Sequence, residues 1–343
     1  MGYGARTFGG VEIDVVLTTG PPDVRSLVAD LRHAGIDGVA TVEGPHDVFF
    51  PLVQAAEVGG LDIATYVAIA FPRSPIHLAH AAWDLQTLSG GRFRLGLGTQ
   101  VRAHVERRYG ADFDRPAARM AEWVGAIRAI FDCWQNGERL DFTGEFTQHT
   151  LMPPLLSPPR LEAGPPPILV GALGPKMIEM TTAVADGIVL HPMTSADFLR
   201  STVEGRIAAG LADAGRTRHD FEVVGGCLVG IHEGHDEAGV RDGLRGLVAF
   251  YGSTPAYRPV LDSIGAGDLQ PQLQSMTRSG AWERLPDLVD DALVDALAVV
   301  GRSDEVASTL RARYAGLVDR LSLTFVQELP VAGLADVVDG LRD

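Results

Sequence analysis

Two histidines follow apolar runs of the sequence at positions where a side chain could transfer protons. His46 comes shortly after the predicted strand at residues 38–42, and His191 directly follows the apolar run 187–190. Imidazole titrates near neutrality and serves as a general acid or base in many enzymes. A histidine that merely packs at the rim of the fold is the alternative interpretation, and it carries equal weight for each position. Both residues are therefore candidates for acid–base catalysis.

A glycine–proline–lysine sequence after another apolar run could hold an anion. Gly174, Pro175 and Lys176 follow the predicted strand at residues 168–170. Gly174 suits a helix N-cap, and Pro175 suits the first helical position, where no N–H is needed. The free N–H groups and the dipole of such a helix attract anions, and Lys176 adds a full positive charge. The sequence therefore predicts a phosphate site here, with an ordinary strand–helix turn and a solvated lysine as the alternative.

The overall charge bears on this site. Lys176 is the only lysine among 29 basic residues, which either codon bias in a GC-rich genome or a requirement at that position would explain. With 44 acidic residues the net charge is -15, so an anionic ligand must be held by local groups. The candidates are the N–H groups after residue 174, Lys176, Arg73 and Arg102. The same negative field repels phosphate backbones, which disfavours binding to nucleic acid.

Several other functional classes lack their sequence signatures. There is no H-E-x-x-H or in-strand H-x-H, and no third ligand accompanies His77 and His80, so no metal site is predicted. There is no G-x-S-x-G of the kind that serine hydrolases carry. The first ten residues lack the apolar core of a signal peptide, and no apolar run is long enough to span a bilayer. We therefore expect a soluble cytoplasmic protein that does not bind membranes.

Short apolar runs alternate with amphipathic helical patterns along the 343 residues. Strands are predicted at residues 11–17, 38–42, 63–71, 93–98, 168–170, 187–190, 221–231 and 321–325. Strands followed by helices imply a parallel sheet. A doubly wound sheet would place a glycine fingerprint after the first strand, and residues 18–22 do not form one. An α/β fold of the (β/α)8 TIM-barrel type fits better, and it places the active site at the carboxyl ends of the strands.

Two segments depart from this alternation within the predicted single domain of residues 1–343. The first, about 137–167, contains a predicted β-hairpin at 140–151 and then a proline-rich connector. The second, about 252–286, is punctuated by glycine and proline and is predicted to be irregular. We interpret both as insertions in the barrel.

Three motifs resemble those of the bacterial luciferase-like oxidoreductases. Residues 89–98 read SGGRFRLGLG and follow a helix that starts with Pro75-Ile76-His77. Residues 185–187 read ADG, and residues 301–306 read GRSDEV, similar to the GTPDEV segment of that family. The resemblance covers nearly the whole chain, and residues 98–110 and 133–137 are most similar to the branch that uses coenzyme F420. It implies a (β/α)8 barrel with an insertion between late strands.

The resemblance also implies roles for individual residues. His46 stands near the family's active-site histidine and Glu43 near its acidic residue after the second strand, so both are implied to be catalytic, with Gly44 and Pro45 between them here. A cis peptide between residues other than proline is implied within residues 65–69, against which the cofactor ring rests. His191 and Phe71 are the substrate residues so implied. The residues implied to bind the cofactor are Ala68, Ile69, Thr99, Gln100, Val101, His104, Gly171, Ala172, Leu173, Gly174 and Lys176.

Some relatives have a glutamate that acts as an acid directly after the positions of Thr99 and Gln100, where this chain has Val101. This difference argues against a sugar-phosphate dehydrogenase. The resemblance implies an oxidoreductase that transfers a hydride between the deazaflavin F420 and a small organic substrate, and it implies a homodimer. An FMN-dependent monooxygenase of the same fold is the first alternative. A flavin- or deazaflavin-binding protein without catalytic activity and a purely structural barrel are the others.

Overall fold

Eight parallel strands close into a barrel in the computed structural model, which describes residues 10–18, 20, 23–234, 236–327 and 329–342. Around the barrel they are β1 (Glu12–Leu17), β2 (Gly38–Thr41), β3 (Asp62–Thr65), β5 (Phe93–Gly98), β8 (Ile168–Gly171), β9 (Gly187–Val189), β10 (Glu222–Ile231) and β12 (Arg320–Phe325). The barrel closes where β12 pairs with β1, with Arg320 opposite Glu12. The predicted (β/α)8 barrel is confirmed.

The predicted continuous strand at residues 63–71 is wrong in one respect, because it consists of two pieces. β3 ends at Thr65, and β4 (Ala68–Ile69) resumes the pairing with β5. Four positions separate Ala64 from Ala68, whereas only three separate their partners Arg94 and Leu97, so the strand carries one extra residue. The peptide bond between Tyr66 and Val67 is cis and lies in this gap, within the range that the resemblance implied.

Among the described residues, three further strands lie outside the barrel. β6 (Phe142–Thr143) and β7 (Gln148–His149) form an antiparallel hairpin within the predicted range 140–151. β11 (Ala298–Gly301) pairs with the carboxyl half of β10 and was not predicted.

Helices surround the barrel. They are α1 (Val24–His33), α2 (Phe50–Val58), α3 (Pro75–Leu88), α4 (Arg102–Arg107), α5 (Pro116–Asn136), α6 (Pro175–Val184), α7 (Ala196–Phe198), α8 (Glu204–Asp213), α9 (Glu237–Gly252), α10 (Arg258–Ser263), α11 (Leu269–Arg278), α12 (Asp291–Leu297), α13 (Ser303–Tyr314) and α14 (Val331–Arg342). The residues Pro21 and Pro22, where the first helix was predicted to open, lie outside the described residues. In the part of the chain that the structure covers, no helix has both the length and the apolarity that a bilayer crossing requires.

The prediction of an irregular segment at about 252–286 is wrong, because most of it is helical. It contains α10, α11 and the 3-10 turns Pro255–Tyr257 and Trp282–Leu288. The prolines Pro255 and Pro259 lie in first turns, where the missing N–H costs no hydrogen bond. Gly265 has φ +74° just after α10, as is typical of a residue that ends a helix. Residues that suggested irregularity therefore begin and end short helices.

The amino-terminal end of the barrel interior holds a buried charge network. Arg320, 1% exposed, donates to both carboxylate oxygens of Asp14 at 2.8 and 2.5 Å. Arg320 also donates to Asp62 at 3.0 Å, and Asp62 accepts a further bond from Arg94 at 2.8 Å. Burial raises the pKa of the Asp14 carboxyl, against the opposing charge of Arg94 and the hydrogen bond from Tyr66. Burial also lowers the pKa of the Arg320 guanidinium. A Cβ placed on Gly38 of β2 would collide with Asp14 Oδ1 and Arg320 Nη2, so the absence of a side chain at Gly38 makes room for this network.

The Tyr66 side chain connects this network to the far end of the barrel. Its phenol O–H donates to Asp14 Oδ2 at 2.9 Å, and its ring packs inside the barrel against Ala40, Ala64 and Leu169. The following residue, Val67, lies at the carboxyl ends of the strands. The barrel core thus fixes the position of the segment that the resemblance places beneath a cofactor ring.

Candidate active site

The loops after the strands bring most of the predicted site residues to one end of the barrel. We call this end the barrel mouth; it consists of residues 42–48, 66–73, 98–105, 171–176 and 190–195. All barrel strands are parallel, so these segments share the carboxyl edge of the sheet.

Glu43 is held by a two-pronged ion pair. Its Oε1 accepts from Arg73 Nη2 at 3.0 Å, and its Oε2 accepts from Arg73 Nη1 at 2.7 Å and from the N–H of Ile69 at 3.1 Å. The Glu43 side chain is only 8% exposed. These bonds tie the loop after β2 to β4, so the geometry favours a positioning role for Glu43. The catalytic role implied by the resemblance stays a prediction.

Tyr109, which no prediction named, lies near this ion pair. Burial and the charge of Glu43 raise the pKa of its phenol. Its Oη is buried and makes no hydrogen bond to any residue that the structure describes. The neighbouring Arg108 donates to the carbonyl oxygen of Gly44 at 2.9 Å, which fixes α4 against the loop after β2.

His46 lies over the end of β1. A Cβ placed on Gly20 would come within 2.8 Å of His46 Nε2, so the absence of a side chain at Gly20 makes room for the imidazole. His46 is exposed, and its ring nitrogens form no hydrogen bond with residues in the described ranges. The ring is thus at the mouth and accessible from solvent, as proton transfer to a bound molecule requires.

Val67 forms a small apolar platform together with two glycines. Its side chain contacts the positions of Gly98 and Gly171, where added Cβ atoms would lie 2.2 and 3.4 Å from its methyl groups. Ala68 and Ile69, which follow it in β4, are buried. Glycine at 98 therefore allows Val67 to occupy the centre of the mouth.

We expect Gly98→Ala to lower the free energy of unfolding by about 1–3 kcal/mol, because the new methyl group forces Val67 to move. Urea unfolding measures this change. Gly205→Ala in α8 is the matched control, since no atom lies within 4 Å of a Cβ placed on Gly205, and we expect it to be neutral or slightly stabilising. Adding Val67→Ala to Gly98→Ala should recover stability. A Gly98→Ala protein as stable as the wild type would contradict this packing.

The loop after β5 has an unusual backbone at Gln100. Gln100 has φ +56°, in the left-handed region that costs free energy for residues other than glycine. Its Oε1 accepts the N–H of Val101 at 2.9 Å, and the hydroxyl of Thr99 donates to its carbonyl oxygen at 3.1 Å. The amide NH2 of Gln100 has no partner within the described residues and can donate to a ligand. His104 is exposed on the following helix α4.

The turn between β8 and α6 has the predicted form. Gly174 is the N-cap of α6 and Pro175 its first residue, with no side chain capping the helix. No atom lies within 4 Å of a Cβ placed on Gly174, so the space beside the helix N-terminus is open. Lys176 is exposed and forms no ion pair with a described residue. Gly171, Ala172 and Leu173 lead from β8 into this turn.

His191 lies in an aromatic cluster. Its ring centroid is 4.4 Å from that of Tyr251 in α9 and 4.4 Å from that of Tyr257. Its Nδ1 accepts the N–H of Met193 at 3.2 Å, which leaves the proton on Nε2. Burial lowers the pKa of the imidazole to about 3, so His191 is neutral at physiological pH.

Phe71, the other residue implied to contact substrate, is not brought into this cluster. It is buried, its ring packs against Phe113 and Trp123, and the Arg119 guanidinium lies 5.5 Å from its centroid. Sequence reasoning missed Tyr251 and Tyr257 because they flank the start of the segment taken as irregular. The only sequence feature that could have indicated them is the closeness of two tyrosines to that insertion.

Comparison with known proteins identifies the family. The profile described as luciferase-like monooxygenase matches residues 7–320. The uncharacterized protein Rv1360 of Mycobacterium tuberculosis (strain H37Rv) is 44% identical over 313 residues, which cover 89% of this chain and 92% of the relative. The 5,10-methylenetetrahydromethanopterin reductase of Archaeoglobus fulgidus is 28% identical over 271 residues, which cover 78% of this chain and 73% of the relative.

The fold of this chain also resembles that of a solved structure. The structure of the coenzyme F420-dependent tetrahydromethanopterin reductase from Methanopyrus kandleri superimposes with a TM-score of 0.79 at 18% identity, over 96% of this chain and 97% of that one. The profile match and the 44% identity to the Mycobacterium tuberculosis protein both span most of the sequence. The chain therefore belongs to the luciferase-like monooxygenase family.

Proposed function

We propose that this protein is a coenzyme F420-dependent oxidoreductase that transfers a hydride between the deazaflavin and a small organic substrate. With a ketone as substrate, the bound cofactor would supply the hydride for the carbonyl carbon, and the residues of the mouth would orient the ketone and deliver the proton that its oxygen needs to become an alcohol. The named activities of the Archaeoglobus and Methanopyrus proteins support this proposal. The barrel mouth offers an apolar platform and an anion site side by side, and the proposal needs both.

The residues of the mouth fit the parts of such a cofactor. Val67, with Gly98 and Gly171 behind it, offers an apolar surface for a flat ring. The uncapped N-terminus of α6 and Lys176 offer N–H groups and a positive charge for a phosphate. The amide NH2 of Gln100 and the hydroxyl of Thr99 are the polar groups between them. His104 and Val101 remain predicted contacts.

The single observation that carries the proposal is that Lys176, unlike Arg73 and Arg102, is not paired with a carboxylate. These three cations were expected to hold an anionic ligand against the negative net charge. Arg73 is paired with Glu43, and Arg102 is paired with Glu106 at 2.6 Å. Lys176 alone has no carboxylate partner in the described part of the chain, and it lies at an uncapped helix N-terminus. A lysine so placed in a protein of charge -15 is poised for an anionic ligand.

We expect Lys176→Ala to raise the dissociation constant for F420 by about tenfold, which corresponds to about 1.4 kcal/mol. Equilibrium titration at low and high salt measures this, and the difference between wild type and variant should shrink as salt screens the charge. Lys176→Arg keeps the charge and should bind nearly as well as the wild type. Unchanged affinity in Lys176→Ala would leave codon bias as the explanation for the lone lysine.

A turnover assay tests the proposed activity. Reduced F420 and the protein are mixed without oxygen, and ketones, enones and quinones are added in turn while the absorbance of oxidised deazaflavin is followed. Substrate-dependent oxidation of the cofactor is the expected result. Tight binding without turnover on any substrate class would instead favour a protein that only binds the cofactor.

An FMN-dependent monooxygenase is the second candidate, because the matching family profile carries that description. This candidate predicts that reduced FMN and oxygen, rather than reduced F420, support product formation. Oxygen consumption that depends on both FMN and an organic substrate would replace our proposal.

A further inference from the structure

We propose that His191, Tyr251 and Tyr257 form a subsite for an uncharged oxygen of the substrate, and that the substrate is a ketone or the corresponding alcohol. This inference rests on the proposed function, because it specifies the substrate class of the same mouth. The geometry points to it through three hydrogen-bonding side chains that pack together and each carry a donor without an acceptor among the described residues.

The three rings contact one another at the end of β9. His191 lies 4.4 Å from each tyrosine ring, and the two tyrosine rings are 6.1 Å apart. Because His191 Nδ1 accepts the N–H of Met193, the ring hydrogen is on Nε2. That hydrogen has no acceptor in the described residues. The phenol O–H groups of Tyr251 and Tyr257 likewise form no hydrogen bond within those ranges. The three donor atoms reach solvent at the mouth, so each can bind water and can exchange that water for an oxygen of the substrate.

The cluster carries no charge at physiological pH. Burial keeps His191 neutral and raises the pKa of both phenols, so all three groups remain neutral hydrogen-bond donors. No arginine or lysine of the described chain stacks on the three rings, and no charged group contributes to the shift of His191. A carboxylate or phosphate placed here would lose its hydration without gaining a counter-ion, which is strongly unfavourable.

The walls of the subsite are apolar. Met193 is buried beside His191, and a Cβ placed on Gly252, next to Tyr251, would lie 3.5 Å from the Met193 methyl group. The exposed ring of Phe250 in α9 lies 5.4 Å from the Tyr251 ring, and the exposed ring of Trp282 lies 6.4 Å from that of Phe250. An apolar wall with a few neutral donors suits a ketone whose carbonyl oxygen is the only polar atom.

Matched ligand pairs test the inference without turnover. We would measure binding of cyclohexanone, acetophenone and 2-acetylnaphthalene by ligand-observed NMR, each against the carboxylate of the same ring (cyclohexanecarboxylate, benzoate and 2-naphthoate). The protein is the full chain, with and without F420. We expect at least one ketone to bind at least tenfold more tightly than its carboxylate. Equal binding, preference for the carboxylate, or no ketone binding in all three pairs would overturn the proposal.

Two variants locate the binding. Tyr257→Phe removes only one O–H, and His191→Phe removes the imidazole donor while keeping a ring. Each should weaken ketone binding by about three- to tenfold, the value of one neutral hydrogen bond, and leave F420 affinity within about twofold. Ketone binding that both variants leave unchanged would contradict the subsite. If F420 fails to bind the wild type while the ketone preference persists, the proposed function fails and the subsite stands.

Discussion

Arg320→Met should destabilise the protein by about 3–5 kcal/mol, because it leaves a buried carboxylate without its counter-ion. Asp14 is 2% exposed and receives two hydrogen bonds from Arg320 and one from Tyr66. Methionine has a similar length but neither charge nor donors. The Asp14 carboxylate must then remain buried and unpaired or take up a proton. Urea unfolding at neutral pH measures the loss.

The pH dependence and a double variant identify the cause. Burial already raises the pKa of folded Asp14 above its unfolded value, and loss of the Arg320 charge should raise it further. The folded variant then holds this proton to a higher pH, so its stability falls as pH rises. The loss of unfolding free energy in Arg320→Met should therefore be smaller at pH 5 than at pH 8. Adding Asp14→Asn removes the unpaired charge and should recover most of the lost stability. A deficit that does not change with pH or with Asp14→Asn would contradict the ion-pair explanation.

His46→Ala should reduce kcat by about 10²- to 10⁴-fold, the range typical for loss of a general acid or base. His46 is the exposed imidazole at the mouth, and it has no hydrogen-bond partner within the described residues. Because His191 is neutral and its Nδ1 is occupied, His46 is the better candidate to exchange a proton with the substrate oxygen. Steady-state turnover with reduced F420 and a ketone measures the effect.

The control for this variant lies at the opposite end of the barrel. His219 is exposed in the 3-10 turn Arg218–Asp220, just before β10 begins. His219→Ala should retain wild-type turnover. F420 affinity of His46→Ala should stay close to that of the wild type, since the predicted role is proton transfer rather than binding. Full turnover in His46→Ala would remove this residue from the mechanism.

The barrel could be predicted from sequence because each strand is a short, buried apolar run followed by a helix. The turn before α6 was predictable for a local reason, since Gly174 and Pro175 have backbone preferences that do not depend on distant residues. Parallel strands then place His46, Gln100 and His191 at one end whatever the details of packing. Local signals and one topological rule were thus sufficient for the fold and the position of the mouth.

Contacts between distant residues could not be predicted in the same way. Arg320 and Asp14 are 306 positions apart, and only the closed barrel brings them together. The bond that holds Glu43 on Arg73 depends on how β4 continues after the break at Tyr66 and Val67. The contact of Tyr251 and Tyr257 with His191 depends on an insertion whose prolines suggested irregular structure. Each of these required the three-dimensional arrangement rather than a pattern along the chain.

Parallel equilibrium titrations of the purified protein with F420 and with FMN test the central claim most directly. The proposed function requires that the protein bind F420 at least tenfold more tightly than FMN. Lys176→Ala should weaken the binding of F420. Tighter binding of FMN, or no binding of F420 at concentrations that saturate a known F420 enzyme, would contradict the assignment.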